Sequence, residues 1–359
     1  MTEHANGAAT RTDSGADEWM IDDEVIQLRE WGTEQIHALP PPGEEWTIGA
    51  AETCAVKLVD PSRRVSREHA RLLREHSRWE IRDLGSKNGT RLDGARRYAF
   101  PLAPGVEVGI GRITLIAESR RLTALRGFLA RLLGWSEDQL PVVDRALRAV
   151  RTAATRRSPL LVCGDGDLVP IAQSLHRQAL GEAKPFVVCD PRRRRSEASV
   201  RSAQSYSEGL QALEAATGGT MCVWARRLPR DFREVSIALR DPSSRVQLVV
   251  CANQLADART LLAGPIIIPP LARRRADLDR IVAEYALDAI ESLAAGDTGF
   301  TRADVDWVVA HSASSLPEIE KGTRRLVAIR QSGSIARAAL QLGMSHVALS
   351  QWIGRRRLP

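Results

Sequence analysis

Three absences narrow the reading of this 359-residue chain. It has only five cysteines, Cys54, Cys163, Cys189, Cys222 and Cys251, and none stands in a C-x-x-C pair. No histidine sits at ligand spacing from them, so neither a disulfide framework nor a structural metal site is expected. The last four lie in or beside apolar runs and read as buried, reduced core positions. No stretch approaches the roughly 18 apolar residues that cross a membrane. The start carries no basic-then-apolar leader pattern. These features point to a cytoplasmic protein with no membrane partner, no metal and no cofactor. The third absence is one of sign. Past Glu320 there is no acidic side chain at all, while Lys and Arg continue to the end.

The length allows two or three domains, each able to bury a core. The net charge of +7 favours an anionic partner. Residues 1–22 are small and polar and read as a disordered tail. Thr10 and Thr12 within it are possible phosphorylation sites.

The densest local signals lie between Val65 and Thr90. Trp79-Glu80-Ile81-Arg82 alternates apolar and polar residues, as a half-buried strand does. Asn88-Gly89 after it is a tight-turn signal, because glycine accepts positive φ at little cost. Ser66 stands among Arg63, Arg64, Arg67 and Arg71, and a hydroxyl amid guanidinium groups suits an oxyanion, phosphate above all. Gly49-Ala50, Ser66-Arg67-Glu68-His69, Asn88-Gly89-Thr90 and Gly109-Ile110-Gly111 together resemble the forkhead-associated (FHA) domain, an all-β sandwich that reads phosphothreonine. The resemblance spans 23–118. It implies that Ser66 donates to the phosphate, that Asn88 bonds the peptide backbone and that Ser86 is a second phosphate-side hydroxyl. It also implies that His69 braces the loop. Ala50 departs from the family, which has a phosphate-binding arginine there. Arg63, Arg64 and Lys87 are the candidates to replace it. The plainer alternative is a sandwich kept for its shape, with solvated loop arginines.

After a basic connector at 119–136, short apolar runs alternate with helical periods. Leu160–Gly164, Pro185–Cys189, Thr220–Trp224 and Val246–Cys251 read as buried strands of a parallel sheet covered on both faces. Gly218-Gly219-Thr220, Val250-Cys251-Ala252-Asn253 and the segment from Ile268-Pro269-Pro270 to Asp277-Leu278 resemble the α/β AAA+ (P-loop NTPase-like) domain of bacterial enhancer-binding proteins, the sigma-54 activators. The likeness covers 137–317, including a small helical lid. The chemistry such a domain needs is missing. The loop Gly164-Asp165-Gly166-Asp167-Leu168 has no lysine and offers carboxylates where phosphate would sit. Trp224-Ala225 stands where the Mg²⁺-binding acids belong. Pro317 stands at the position of a sensing arginine. Arg192-Arg193-Arg194-Arg195 occupies the interval of the polymerase-contacting loop. The expectation is a scaffold, with no enzymatic activity and no catalytic residue.

From Glu318 the helical period returns. Ser334 and Ser345 are expected N-caps. Ile335, Ala338, Ala339 and Leu342 follow at i, i+3, i+4, i+7, and Gly343 breaks the helix. The run Gly333 to Ser345 resembles the all-α Fis-type helix-turn-helix of the same family, over 318–359. The resemblance implies a dimer whose last helix enters the major groove, with Ser345, His346, Val347 and Gln351 towards bases. Arg337, Arg355, Arg356 and Arg357 are then phosphate contacts. An idle, exposed His346 is the alternative for that residue, and Trp352 is expected at a dimer or domain contact. The combined expectation is a transcriptional regulator. It would sense a phosphothreonine protein, made by a Ser/Thr kinase, and bind DNA as a homodimer. The alternative is a phosphopeptide-binding adaptor in a kinase pathway, without specific DNA binding.

Overall fold

The structure, a computed structural model, describes residues 24–41, 43–75, 78–192, 196, 203–241, 243–258, 265–294, 299–355 and 358. Thr10, Thr12, Arg193, Arg194, Arg195, Arg356 and Arg357 lie outside the described residues. The chain forms two compact units, divided between Thr123 and Ala124.

The first unit is a β-sandwich. Its strands are β1 (Val25–Glu30), β2 (Ile36–Ala38), β3 (Trp46–Gly49), β4 (Val56–Lys57), β5 (Ala70–Glu75) and β6 (Arg78–Asp83). They are followed by β7 (Thr90–Leu92), β8 (Ala95–Arg96), β9 (Ala99–Pro101), β10 (Glu107–Ile110) and β11 (Ile113–Ser119). One sheet runs β2-β1-β11-β10-β7-β8 and the other β4-β3-β5-β6-β9. Every pairing is antiparallel except β3 with β4. The alternation read in the sequence sets the inward faces. In β6, Trp79, Ile81 and Asp83 point inward while Glu80 and Arg82 are half-exposed. Leu28, Ile48, Leu72, Ile81, Val108, Ile110 and Leu115 fill the space between the sheets. Burial of this kind contributes roughly 25 cal/mol per Å² of apolar surface. Loops at one end of β5, β6 and β7 meet, and they carry the candidate site.

The second unit begins in helix α1 (Arg120–Leu133), which occupies the expected connector, followed by α2 (Leu140–Arg156). An all-parallel sheet follows. It contains β12 (Leu160–Cys163), β13 (Phe186–Cys189), β14 (Gln204–Tyr206), β15 (Thr220–Trp224), β16 (Gln247–Ala252) and β17 (Pro265–Ile267), in the order β14-β13-β15-β16-β12-β17. Helices α3 (Val169–Leu180), α4 (Gly209–Ala215) and α5 (Phe232–Ala238) connect the strands. The four strands expected from apolar runs are present within a residue of their expected ends. The edge strands β14 and β17, three residues each, are additional. All five cysteines are buried and unpaired as disulfides. Cys222 and Cys251 approach to 3.7 Å across neighbouring strands.

The remainder is all-helical: α6 (Leu278–Ser292), α7 (Arg302–Ser312), α8 (Leu316–Ser332), α9 (Ile335–Gln341) and α10 (His346–Gly354). The boundary expected between 317 and 318 falls inside the first turn of α8. That helix is common to both halves of the helical part. Its Val327 packs with Ala286 and Ala289 of α6. Arg330 forms a 2.8 Å ion pair with the fully buried Asp304 of α7. A Cβ on Gly322 would lie 2.6 Å from the Ser312 hydroxyl, so glycine permits α8 to approach α7 closely. Among the described residues no helix is long and apolar enough to cross a membrane.

Candidate functional site

In the sandwich, the site is built from a buried polar frame outward. Asp83 ends β6 facing inward and accepts four hydrogen bonds. Its Oδ1 takes the Gly85 and Ser86 amides at 2.9 Å, and its Oδ2 takes the Ser86 and Thr90 hydroxyls at 2.7 Å. Burial pushes the carboxyl upward, but these donors outweigh it and hold Asp83 below the ordinary carboxylate value. The frame shapes the turn that presents Lys87 and Asn88.

The facing loop is organised by Asp60. Its Oδ2 accepts the amides of Arg64 at 2.6 Å and Val65 at 2.9 Å, and its Oδ1 accepts the amide and hydroxyl of Ser62. The hydroxyl of Ser62 and these amides hold Asp60 below its ordinary value. Arg63 sits at φ 53° in that turn, a left-handed conformation uncommon for a non-glycine residue. Two glycines allow the loop to lie close. A Cβ at Gly49 would meet the Arg67 carbonyl oxygen at 2.1 Å, and one at Gly111 would meet the Arg64 backbone at 2.9 Å.

The two loops are tied directly. The Lys87 amide donates to Ser66 Oγ at 3.1 Å, and Asn88 Nδ2 donates to the Arg64 carbonyl at 2.7 Å. Behind them, the Ser66 amide donates to Nδ1 of the fully buried His69 at 3.1 Å. That bond requires an unprotonated Nδ1, and burial lowers the histidine's pKa, which suits the neutral ring. Nε2 faces the Gly89 backbone without a hydrogen bond of good geometry.

Ser66, Lys87, Asn88, Arg63 and Arg64 are thus gathered at one edge, and the Ser66 hydroxyl proton remains available to a ligand. Ser86 is a correction. It was expected on the phosphate side, but it is only 6% exposed and its hydroxyl proton goes to Asp83. Its oxygen also accepts the Gly89 amide at 2.9 Å. Ser86 builds the turn, and its neighbour Lys87 faces outward. Arg96 was missed. It lies against Gly89, where a Cβ would come within 2.1 Å of its Nε.

In the second unit, the Gly164–Leu168 loop leaves the carboxyl end of β12. That strand is flanked by β16 and β17, while the chain crosses over to β13, so the loop marks a topological switch point. The space there is filled. A Cβ on Gly164 would meet Ile268 at 3.0 Å, one on Gly166 would meet Ser315 at 2.8 Å, and Leu168 is fully buried. Asp167 Oδ1 accepts the Val169 amide at the start of α3, where an anion would otherwise bind.

At the end of the chain, Ser345 caps α10 by accepting the Ala348 amide at 3.1 Å. Ser334 occupies the cap position of α9 in extended backbone but makes no capping bond. Gly333 and Gly343 take left-handed φ of 57° and 59° and end their helices. Leu349 and Trp352 are buried, and Trp352 meets Trp307 of α7 edge-on at 5.4 Å with Arg325 over its ring at 5.0 Å. Ile353, one turn beyond Leu349, is only half-buried. Ser345, His346, Val347, Gln351, Arg337 and Arg355 are exposed. Among the described residues no cluster of His, Cys, Asp and Glu suits a metal ion.

The FHA domain family matches residues 46–111, and an FHA domain is present there. The chain is similar to an FHA domain solved in a study of phosphothreonine-dependent FHA interactions, with 25% identity over 26% of this chain and 93% of that one, TM-score 0.24. It is similar to the FHA domain of a Chlamydia trachomatis protein, with 23% identity over 25% of this chain and 92% of that one, TM-score 0.23. It is also similar to EmbR of Mycobacterium tuberculosis in complex with a low-affinity phosphopeptide, with 23% identity over 29% of each chain, TM-score 0.25. No curated protein matches the chain.

Proposed function

We propose that the FHA domain at residues 46–111 reads phosphothreonine on behalf of a DNA-binding helical end, making the chain a transcriptional regulator without enzymatic activity. The observation that carries the reading is the joining of two loops at Ser66, Lys87 and Asn88. Ser66 offers its hydroxyl proton to a phosphate oxygen. Lys87 and Arg64 supply the charge that an arginine at Ala50 would have supplied. Asn88, its amide nitrogen fixed on the loop, presents its carbonyl oxygen to a peptide N–H.

The central α/β part serves as a scaffold. The resemblance to AAA+ domains supplies its expected shape. The filled space around Gly164 and Gly166 and the Asp167 cap argue against nucleotide. The helix-turn-helix reading rests on α9, the Gly343 turn and α10. It is supported by the exposed Ser345, His346, Val347 and Gln351, with Arg337 and Arg355 as phosphate contacts. Dimerisation follows from the Fis-type resemblance, and a Ser/Thr kinase is the implied source of the signal.

Two measurements test this. Fluorescence anisotropy of the full chain with a degenerate phosphothreonine peptide library reads the first half. Ser66→Ala and Asn88→Ala should each weaken binding on the order of tenfold, the loss of one charge-assisted hydrogen bond. Unchanged binding in both variants refutes this face. Selection of genomic DNA fragments at two salt concentrations reads the second half. Enriched sites that persist at the higher salt and are lost in Gln351→Ala support base readout beyond the screened phosphate term. Retention that is sequence-blind and erased by salt favours the adaptor reading.

A further inference from the structure

Arg96 lies outside every residue assigned above. It is exposed, in the two-residue strand β8. Its guanidinium lies over Gly89, within 2.1 Å of a would-be Cβ at Nε and 2.7 Å at Cζ. Only glycine at 89, at φ 72°, leaves this place open beside Asn88. Across the ladder Arg96 stands directly opposite Arg91. Like charges directly opposite on one face are destabilising. No carboxylate relieves them, since among the described residues Arg63, Arg64, Arg67, Lys87, Arg91 and Arg96 form no ion pair. Arg91 at least donates to the Gly111 carbonyl at 3.0 Å. Two acids of these turns are occupied, since Asp60 holds the Arg64 and Val65 amides and Asp93 accepts the Glu107 amide. Glu68 beside Arg67 is exposed and forms no ion pair with these cations. Elsewhere in the sandwich cations are paired, as in Arg29–Glu118, Lys57–Glu52, Arg71–Glu45 and Arg82–Glu80.

We propose that Arg96 is a specificity-determining residue that selects peptides carrying a second anionic side chain, carboxylate or phosphate, near the phosphothreonine. The proposal rests on the phosphothreonine reading. Ser66, Lys87 and Arg64 take the phosphothreonine itself. Arg96, on the far side of Asn88 from Ser66 along the turn, meets an anion on a neighbouring peptide residue. A planar guanidinium with free donors suits either oxyanion in bidentate fashion.

The test is an arrayed phosphothreonine library probed with the full chain. Each flanking position in turn is fixed as Asp, phosphothreonine or Gln, with the others degenerate. The expected result is an offset at which Asp or phosphothreonine is retained over Gln. Arg96→Gln should lose that preference on the order of tenfold while still retaining phosphothreonine peptides over unphosphorylated ones. Arg78→Gln, at the opposite end of the β5–β6 ladder, removes the same charge and should keep the preference. Stronger retention of Asp identifies a carboxylate, and stronger retention of phosphothreonine a second phosphate. Absence of any acidic preference, or a preference that survives Arg96→Gln or vanishes equally in Arg78→Gln, overturns the proposal alone. Failure of the unmodified chain to retain any phosphothreonine peptide overturns the underlying reading with it.

Discussion

Gly49 and Gly127 are both glycines, yet substituting alanine should act in opposite directions. At 49 a new Cβ would press on the backbone of Arg67, which cannot swing aside as a side chain could. Gly49→Ala should destabilise the sandwich by about 2–3 kcal/mol, the cost of overpacking. Gly127 is exposed within α1, with nothing within 4 Å of a new Cβ. Gly127→Ala should stabilise by about 0.5–1 kcal/mol through backbone entropy and helix propensity. Denaturant unfolding of each full-length variant checks both signs. Asp83 gives a prediction in pH. Its folded pKa lies below the ordinary 3.8, so its contribution is complete above that value. It is lost as pH falls below 3.8 through the folded value. Asp83→Asn should cost about 3 kcal/mol at neutral pH through the lost charge-assisted bonds. The variant should also show a shallower acid limb in thermal melts taken from pH 5 to pH 2. His69 has the opposite charge and the same direction. Its depressed pKa means that the unfolded chain binds the extra proton first, so stability declines as pH falls below 6.5. Protonation of Nδ1 also removes the acceptor for the Ser66 amide.

Helix α10 shows how an element with weak local credentials is held. It spans nine residues, fewer than an isolated helix needs in water. Its stability comes from Leu349 and from Trp352 packed edge-on against Trp307. Trp352→Ala should cost about 3–5 kcal/mol at that contact, typical of emptying an aromatic core position. Hydrogen exchange should then show faster amides in 346–354 than in α6. The helix α8 changes where the chain can be cut. Removing it would strip Val327 from Ala286 and Ala289 and leave Asp304 without Arg330. A cut meant to delete only α9 and α10 therefore belongs after Gly333. A chain ending at Ser315 should instead unfold the helical part, visible as lost helical circular dichroism beyond the residues removed.

For the molecule as a whole, charge and filled space argue the same way. The central part keeps a parallel sheet with a loop at its switch point, yet Ile268, Leu168 and Ser315 occupy the room around that loop and Asp167 holds its amide. Isothermal titration of the full chain with Mg-ATP should give no saturable heat, and a measurable one would return the central part to the nucleotide-binding proteins. The anionic ligands are expected at the two ends instead: phosphopeptide at the sandwich, where Asp60 and Asp83 are taken up by the loops' own amides and hydroxyls, and DNA past Glu320, where no acid remains.

Periodicity and turn chemistry were enough to place most elements, because they act within a few residues. The alternation of Trp79 to Arg82 becomes β6. The apolar runs become β12, β13, β15 and β16, the Gly343 break ends α9, and the Ser345 cap starts α10. The Ser66, Lys87 and Asn88 constellation came from the family resemblance and not from local preference, since Ser66 and Lys87 stand 21 residues apart. The two edge strands were not legible, since three residues carry too little period to read. Nor was the orientation of Ser86, Lys87 and Asn88, three consecutive polar residues of which one is buried and two project. That choice was made by Asp83, which collects donors from Ser86 and Thr90 only once β6 and β7 are in place. Arg96 came to lie on Gly89 because the β7–β8 ribbon folds back across the turn, and Trp352 turned inward because α7 brings Trp307 to it. Side chains settled by local backbone preference can be read in order along the chain. Those settled by a partner far away in sequence are decided only when the layers close.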